Sequence, residues 1–278
     1  MDPREARRAL GAMLAGDEDE LDLALAALRV AQEEYPDLEP EPYLDQLAQL
    51  GARLRDRVGN ETRPERQVAM LNALVFGDEG FRGNATHYYD PRNSYLNEVL
   101  DRRLGIPLTL SLVYLDVGRR AGLPLSGVGL PAHFIVAYEA PGPDRLLIDP
   151  FHCGRLLSLA DCGQLVQQAF GNAVRFEPGQ LVATPSRQIL ARLIGNLKGA
   201  YLRRGDLVRA LRASEQASVV LPTATELRDR GLLRYRLADF AGATADLGQY
   251  LEFEPAAPDA DQIRRHLAVI RELHARRN

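Results

Sequence analysis

The segment PLTLSLVYLDVGRRAG, residues 107–122, restricts the fold more than any other. Pro107 suits the first turn of a helix, where its missing N–H costs nothing and its fixed φ is already helical. Gly122 suits the stop. Between them apolar residues run nearly all round: Leu108, Leu110, Leu112, Val113, Leu115 and Val117. A helix without a polar face has to be enclosed by other elements. The chain must therefore supply layers around it, and at 278 residues it can bury a sizeable core. The run is too short to span a bilayer and contains Asp116, so it predicts a buried helix and no membrane partner.

The flanking segments say what those layers are. Residues 1–60 are helical in pattern. DELDLALAALRVAQEEYPDL repeats Leu and Ala at three and four until Pro36, and EPYLDQLAQLGARLRDRV starts at Pro42 with an acidic first turn. ERQVAMLNALVFGDEGF predicts a third helix ending near Gly77. The polar, aromatic loop GNATHYYDPRNS follows, with Asp90-Pro91 as turn chemistry. YLNEVLDRRLG predicts a short helix closed by Gly105. Beyond the central helix the period changes to two. Strands are expected at 126–130, 133–139 and 145–149, the last pair joined by a Pro/Gly turn, with short strands at 174–176 and 181–183 and a helix near 159–170. The fold class is α+β: a helical N-terminal layer, a core with a small antiparallel sheet, and a helical C-terminal part.

That last part repeats. LRRGDLVRAL (202–211) and YRLADFAGAT (235–244) superpose at an offset of 33. Gly205-Asp206-Leu207 matches Ala238-Asp239-Phe240, Ala210 matches Ala243, and Pro222 and Pro255 close the two units. Tyr201, Ala210, Ala217 and Pro222, then Gly231, Ala243, Leu247 and Pro255, fall on the tetratricopeptide pattern. The more polar DADQIRRHLAVIRELHARRN suits a capping helix. The domains are read as 1–185 and 186–278.

The chemistry centres on GLPAHFIVAYEAPGPDRLLIDPF (129–151). His133 opens one strand and Asp149 closes the next. Paired as a hairpin, start faces end, and a His beside a carboxylate is the orienting half of a nucleophilic triad. The same bond can also do no more than stitch two strands. Cys153 and Cys162 show no metal-binding spacing, so no metal is expected. GVGLPAHF opens no helix as GxGxxG would, and there is no P-loop, so no cofactor is expected. A net charge of -4 and a pI of about 5.8 argue against nucleic acid. Two thiols and a charged N-terminus without an apolar core point to a reduced, cytoplasmic setting. His152, His266 and His274 read as surface residues.

A buried helix followed by a His-bearing and an Asp-bearing strand resembles the transglutaminase-like core, a papain-like arrangement. YYDPRNSYLNEVLDRRLGIPLTLSLVY, GVGLPAHFIVAYE and IDPFHCGRLLS resemble its SirB-type branch, which carries tetratricopeptide repeats. The resemblance makes His133 and Asp149 the family His and Asp. The family Cys stands two residues after a Gly and about 15 before the Gly that ends the helix. Gly105 and Gly122 are those glycines, and Pro107 stands where the Cys would be. Three residues remain as substitute nucleophiles: Thr109 and Ser111 on the same helix, and Cys153 past the Asp. His87, Tyr88, Tyr89, Asp90, Arg92 and Asn93, with Pro107, are candidates to line the cleft. Two functions follow. One is a non-catalytic module that binds a polypeptide partner. The other is a hydrolytic or acyl-transfer enzyme that uses His133 and Asp149 with a relocated nucleophile.

Overall fold

The computed structural model describes residues 2–18, 21–139, 145–171 and 173–275. The Pro/Gly turn expected between the second and third strands, residues 140–144, lies outside them, as does the side chain of His274. The chain forms two compact units, Met1–Leu193 and Ile194–Asn278.

In the first unit, four helices precede the central one: α1 (Pro3–Leu14), α2 (Leu23–Ala31), α3 (Pro40–Val58) and α4 (Pro64–Asn72), the last continuing as a π turn over Ala73–Asp78. The expected start at Pro42 moves to Pro40, because both prolines fit a first turn whose N–H groups have no helical partner. The helix expected to run to Pro36 ends at Ala31, since the residue before a proline is pushed out of the helical region and the chain turns ahead of it. β1 (Arg82–Gly83) pairs parallel with β2 (Leu104–Gly105) on either side of α5 (Leu96–Arg102).

The central helix, α6 (Pro107–Arg120), is buried from Pro107 through Leu115 and again at Val117 and Gly118. It contacts α2, α3 and α5 and also the sheet strands that follow it, so the enclosure its composition demands is met. Gly118 permits the closest of these approaches, because a Cβ there would stand 2.3 Å from Leu125 Cδ1.

The sheet is an antiparallel meander in chain order: β3 (Leu125–Leu130), β4 (His133–Tyr138), β5 (Leu146–Asp149) and β6 (Arg155–Leu157). Its alternation divides two layers. Val128, Leu130, Ile135, Ala137, Leu147 and Leu157 cluster with Cys162 of α7 (Leu159–Phe170). Leu125 lies on the other face, against α6. The strand expected at 174–176 does not form; Phe176 instead packs its ring on the α7 cluster, and Pro178 starts a short 3-10 turn. Of 181–183 only Ala183 pairs, as one bridge to Val128. Proline cannot extend a ladder, so this edge stays short.

The unit boundary falls within α8 (Ser186–Arg203). The second unit continues with α9 (Leu207–Val220), α10 (Ala224–Arg236), α11 (Phe240–Phe253) and α12 (Ala260–Ala275). The 33-residue offset is visible in the backbone. Asp206 and Asp239 cap α9 and α11 in the same conformation, φ -82° in both, each accepting a bond from the third helical N–H. Gly205 and Ala238 precede them in the left-handed region. Ala243, Leu247 and Tyr250 pack on Ile263, Leu267 and Ile270 of α12. The α+β class and the helical repeats are as the sequence predicts. Among the described residues, no helix is long and apolar enough to cross a membrane.

Candidate functional site

Register explains why His133 meets Asp149. β4 and β5 pair Val136 with Ile148 and Ala137 with Leu147. Continued one step, this sets Asp149 opposite Ile135, with His133 two residues further along the same face. Such diagonal neighbours lie within reach of a long side chain. The observed His133 Nε2 to Asp149 Oδ2 distance is 3.0 Å. His133 itself is held at a tight reversal. Leu130 and His133 pair directly, so Pro131-Ala132 is a two-residue turn, with Ala132 at φ 57°.

Asp149 is 1% exposed and ends β5 as the cap of a 3-10 turn, Pro150–His152. Its Oδ1 accepts from Phe151 N at 3.0 Å and His152 N at 3.4 Å. Its Oδ2 takes a second imidazole, His152 Nδ1 at 2.7 Å. Burial alone would raise this carboxyl's pKa. The bond and charge of His133, then those of His152, outweigh burial and hold it below the ordinary carboxylate range. An ionised carboxylate only accepts, so each imidazole nitrogen facing it carries a hydrogen. In the neutral rings, His133 Nδ1 and His152 Nε2 are then the free lone pairs, and among the described residues neither has a hydrogen-bond partner. His152 is 53% exposed, in keeping with a surface position, yet it belongs to the cluster through its bond to Asp149.

The loop carrying Asp149 and His152 is tied to the core. Gly154 N donates to Asp149 O at 2.9 Å, Asn72 Nδ2 to Gly154 O at 2.9 Å, and Tyr114 Oη of α6 to Asn72 Oδ1 at 2.8 Å. Gly154 has φ 75°, and a Cβ there would stand 1.9 Å from Asn72 Oδ1. Arg192 of α8, absent from the sequence-based candidates, donates through Nη2 to the carbonyls of Leu130 and His133 and so clamps the turn that presents His133.

The start of α6 is organised differently. Pro107 is buried at its first position. Thr109 Oγ1 donates to Asn93 O at 2.7 Å and accepts from Ile106 N at 3.1 Å. Ser111 Oγ donates to Pro107 O at 2.7 Å. Both hydroxyls are fully buried, and neither is hydrogen-bonded to His133 among the described residues. Cys153 is exposed, with φ 55°, and its thiol makes no hydrogen bond among the described residues. Cys162 is buried, and burial foremost pushes its thiol pKa up, with Asp161 and Asp149 adding to it.

The 84–93 loop is knotted around Asn93. Its Nδ2 donates to His87 O at 2.7 Å and its Oδ1 accepts from Asn84 Nδ2 at 3.0 Å, leaving Asn93 wholly buried. Asp90 pairs with Arg92 at 2.7 Å, and Tyr89 is exposed. The loop reaches the site through Tyr88, whose ring meets Phe151 at 6.0 Å. Phe151 in turn stands 6.3 Å from the His133 ring and 5.2 Å from that of His152.

Residues 41–195 match the transglutaminase-like superfamily, and 197–268 match a tetratricopeptide repeat family. A UPF0162 protein of Xylella fastidiosa (strain 9a5c) is 37% identical over 256 residues, 90% of each chain. A UPF0162 protein of Vibrio cholerae is 27% identical over 249 residues, 89% of this chain and 92% of that one. F-box only protein 21 of Mus musculus is 33% identical over 142 residues, 49% of this chain and 22% of its own length. Among solved structures, menin covers 97% of this chain with 70% of its own at 12% identity and a TM-score of 0.47, too distant to bear on fold or function.

Proposed function

Since the chain belongs to the transglutaminase-like superfamily, we propose that it is a hydrolase of acyl substrates, amides or esters, with His133 as general base and water as nucleophile. The observation that carries this reading is the buried Asp149 carboxylate, which fixes His133 by Nε2 and leaves Nδ1 without a partner among the described residues. That is the tautomer a general base needs. Water takes the nucleophile's place because Thr109 and Ser111 direct their hydroxyl hydrogens into backbone carbonyls. In the step, a water O–H proton passes to His133 Nδ1 while the oxygen bonds to the acyl carbon. The tetrahedral intermediate then expels the amine or alcohol, which takes that proton, and the C–N or C–O bond breaks. Asp149 stays ionised and stabilises the imidazolium. A polypeptide is the favoured substrate, because the second unit is of a repeat type whose surfaces hold peptides. Placement in a SirB-type branch rests on the three stretches quoted above.

The test is turnover of an amide and ester panel by the purified chain and by His133→Ala. Turnover falling by about 10²-fold or more in the variant supports the reading. Equal turnover in both, or none by the wild type on any substrate, defeats it. In the latter case a binding module with no chemistry becomes the better reading, and Tyr89, Asp90, Arg92 and Pro107 would be tested as contacts with a polypeptide partner.

A further inference from the structure

We infer that His133, Asp149 and His152 form a binding site for a divalent transition-metal ion of the zinc class. The inference rests on the hydrolytic reading and on the same cluster, and it moves the activation of water from His133 to the ion: a His133 that ligates through Nε2 carries its hydrogen on Nδ1 and is no longer the base, whereas a bound ion would lower the pKa of its own water.

Three donor atoms, one from each residue, lie within 4.8 Å of one another. Two imidazoles and one carboxylate are a donor set suited to zinc or to non-haem iron, and three protein ligands leave coordination positions open, as reactive metal sites require. With metal–ligand bonds of about 2.0–2.1 Å, tetrahedral ligands stand roughly 3.3 Å apart. The observed N···O distances of 2.7 and 3.0 Å are a few tenths shorter and the two ring nitrogens lie within 4.8 Å of each other, so side-chain rotations that part the oxygen from both rings and bring the rings together would admit the ion.

The surroundings suit the role. Asp149 Oδ1 is held by two backbone N–H groups while Oδ2 faces both rings, the orienting arrangement that tunes a ligating carboxylate. Binding requires Nε2 of His133 and Nδ1 of His152 to give up their hydrogens. The opposite nitrogens have no hydrogen-bond partner among the described residues and can receive them, so the neutral rings become ligands by changing tautomer. The exposed His152 supplies an entry path, and the loop's anchorage through Asn72 and Gly154 limits how far its donors can move apart. The expectation that no metal binds was drawn from cysteine and histidine spacing. The set here, His133 then Asp149 then His152, joins a strand start to a strand end and the turn after it, a spacing that no local metal-binding motif describes.

The experiment uses the full chain stripped with a chelator, then titrated calorimetrically with Zn²⁺ and, as an optical probe, with Co²⁺. We expect one ion per chain and a visible Co²⁺ spectrum of low coordination number. His152→Ala, whose side chain is exposed and makes one hydrogen bond, should remain folded and weaken Zn²⁺ by about 100-fold or more. Cys153→Ala should bind as the wild type does. Wild-type binding no tighter than that of His152→Ala, or binding abolished by Cys153→Ala, overturns the site. The two proposals fail separately. His133-dependent turnover that persists in chelator, with no metal bound, removes the metal and keeps the hydrolase. One tightly held ion without turnover on any panel member removes the hydrolase and keeps the metal.

Discussion

Asp116 and Asp149 are both carboxylates withdrawn from water in the first unit, and they are driven in opposite directions. Asp116, on α6, is 18% exposed and pairs with Arg120 one turn on, at 2.6 Å. Asp149 is 1% exposed. Exposure alone would make Asp149 the harder to ionise. Instead, burial raises the Asp116 pKa despite Arg120, while the Asp149 pKa is lowered against its own burial. The difference lies in who supplies the bonds. Asp116 has one flexible partner, whereas Asp149 has two imidazoles and two backbone N–H groups held by a closed turn. Preorganised donors keep a buried carboxylate charged, and that charge in turn sets the tautomers of two histidines.

The strongest way to break the contrast is Asp149→Asn. An amide offers one accepting oxygen and one N–H₂ in place of a carboxylate, so His133 is no longer obliged to present Nδ1 as the lone pair. We expect turnover to fall by about 10³- to 10⁴-fold. Stability should fall by about 2–4 kcal/mol, because a buried set of charge-assisted bonds is disturbed. Steady-state kinetics beside urea denaturation separates the two losses. Unchanged kinetics would remove Asp149 from the mechanism.

Gly154→Ala attacks the preorganisation and leaves the carboxylate itself alone. The new Cβ would have to displace the Asn72 amide and sit at a positive φ, which together should cost about 2–4 kcal/mol. Asn72 would then release the loop from Tyr114. A denaturation midpoint within error of the wild type would mean that the loop needs no such anchor.

Thr109→Val sharpens the contrast at the other end of the site. It removes the donor to Asn93 O and the acceptor for Ile106 N, so stability should fall by about 1–3 kcal/mol. Ser111→Ala, which loses a bond to a carbonyl one turn back and a longer one, 3.4 Å, to Phe134 O, should cost about 1 kcal/mol. Turnover per folded molecule should change in neither. A 10²-fold loss in either variant would return the nucleophile to the helix and exclude water.

How much of this was legible in the sequence follows from where the forces act. The burial of α6 was readable because an all-round apolar helix has one solution. The His133–Asp149 meeting was readable because period-two strands leave few registers. The repeats were readable because the same Asp cap recurs 33 residues on. His152 was missed although a signal existed. In DPFH, Asp149 caps a 3-10 turn, and residues three apart on such a turn are eclipsed, which sets His152 over Asp149. Arg192 left no signal, since it acts on backbone carbonyls some 60 residues away in sequence. The strand expected at 174–176 failed for a related reason. Local propensity favoured it, but Phe176 found a place on the α7 cluster and Pro178 closed off the ladder.

The smallest expected effect tests the other half of the contrast. Asp116 has a folded pKa above its unfolded value, so its ionised form costs stability above the folded pKa, and that cost disappears as pH falls through it. Asp149 has the opposite sign: its contribution is present above the unfolded pKa, near 3.8, and is lost as pH falls through the lower folded value. Lowering the pH from 7 towards 4 should therefore relieve Asp116 before it touches Asp149. Asp116→Asn removes the first term alone. Thermal denaturation should show the wild type gaining on this variant as the pH falls towards 4, by an amount of the order of the ~0.5 kcal/mol that an i,i+4 pair is worth. Were the wild type to lose ground instead, Arg120 would be holding Asp116 ionised as firmly as two histidines hold Asp149, and the distinction between flexible and preorganised partners would fall.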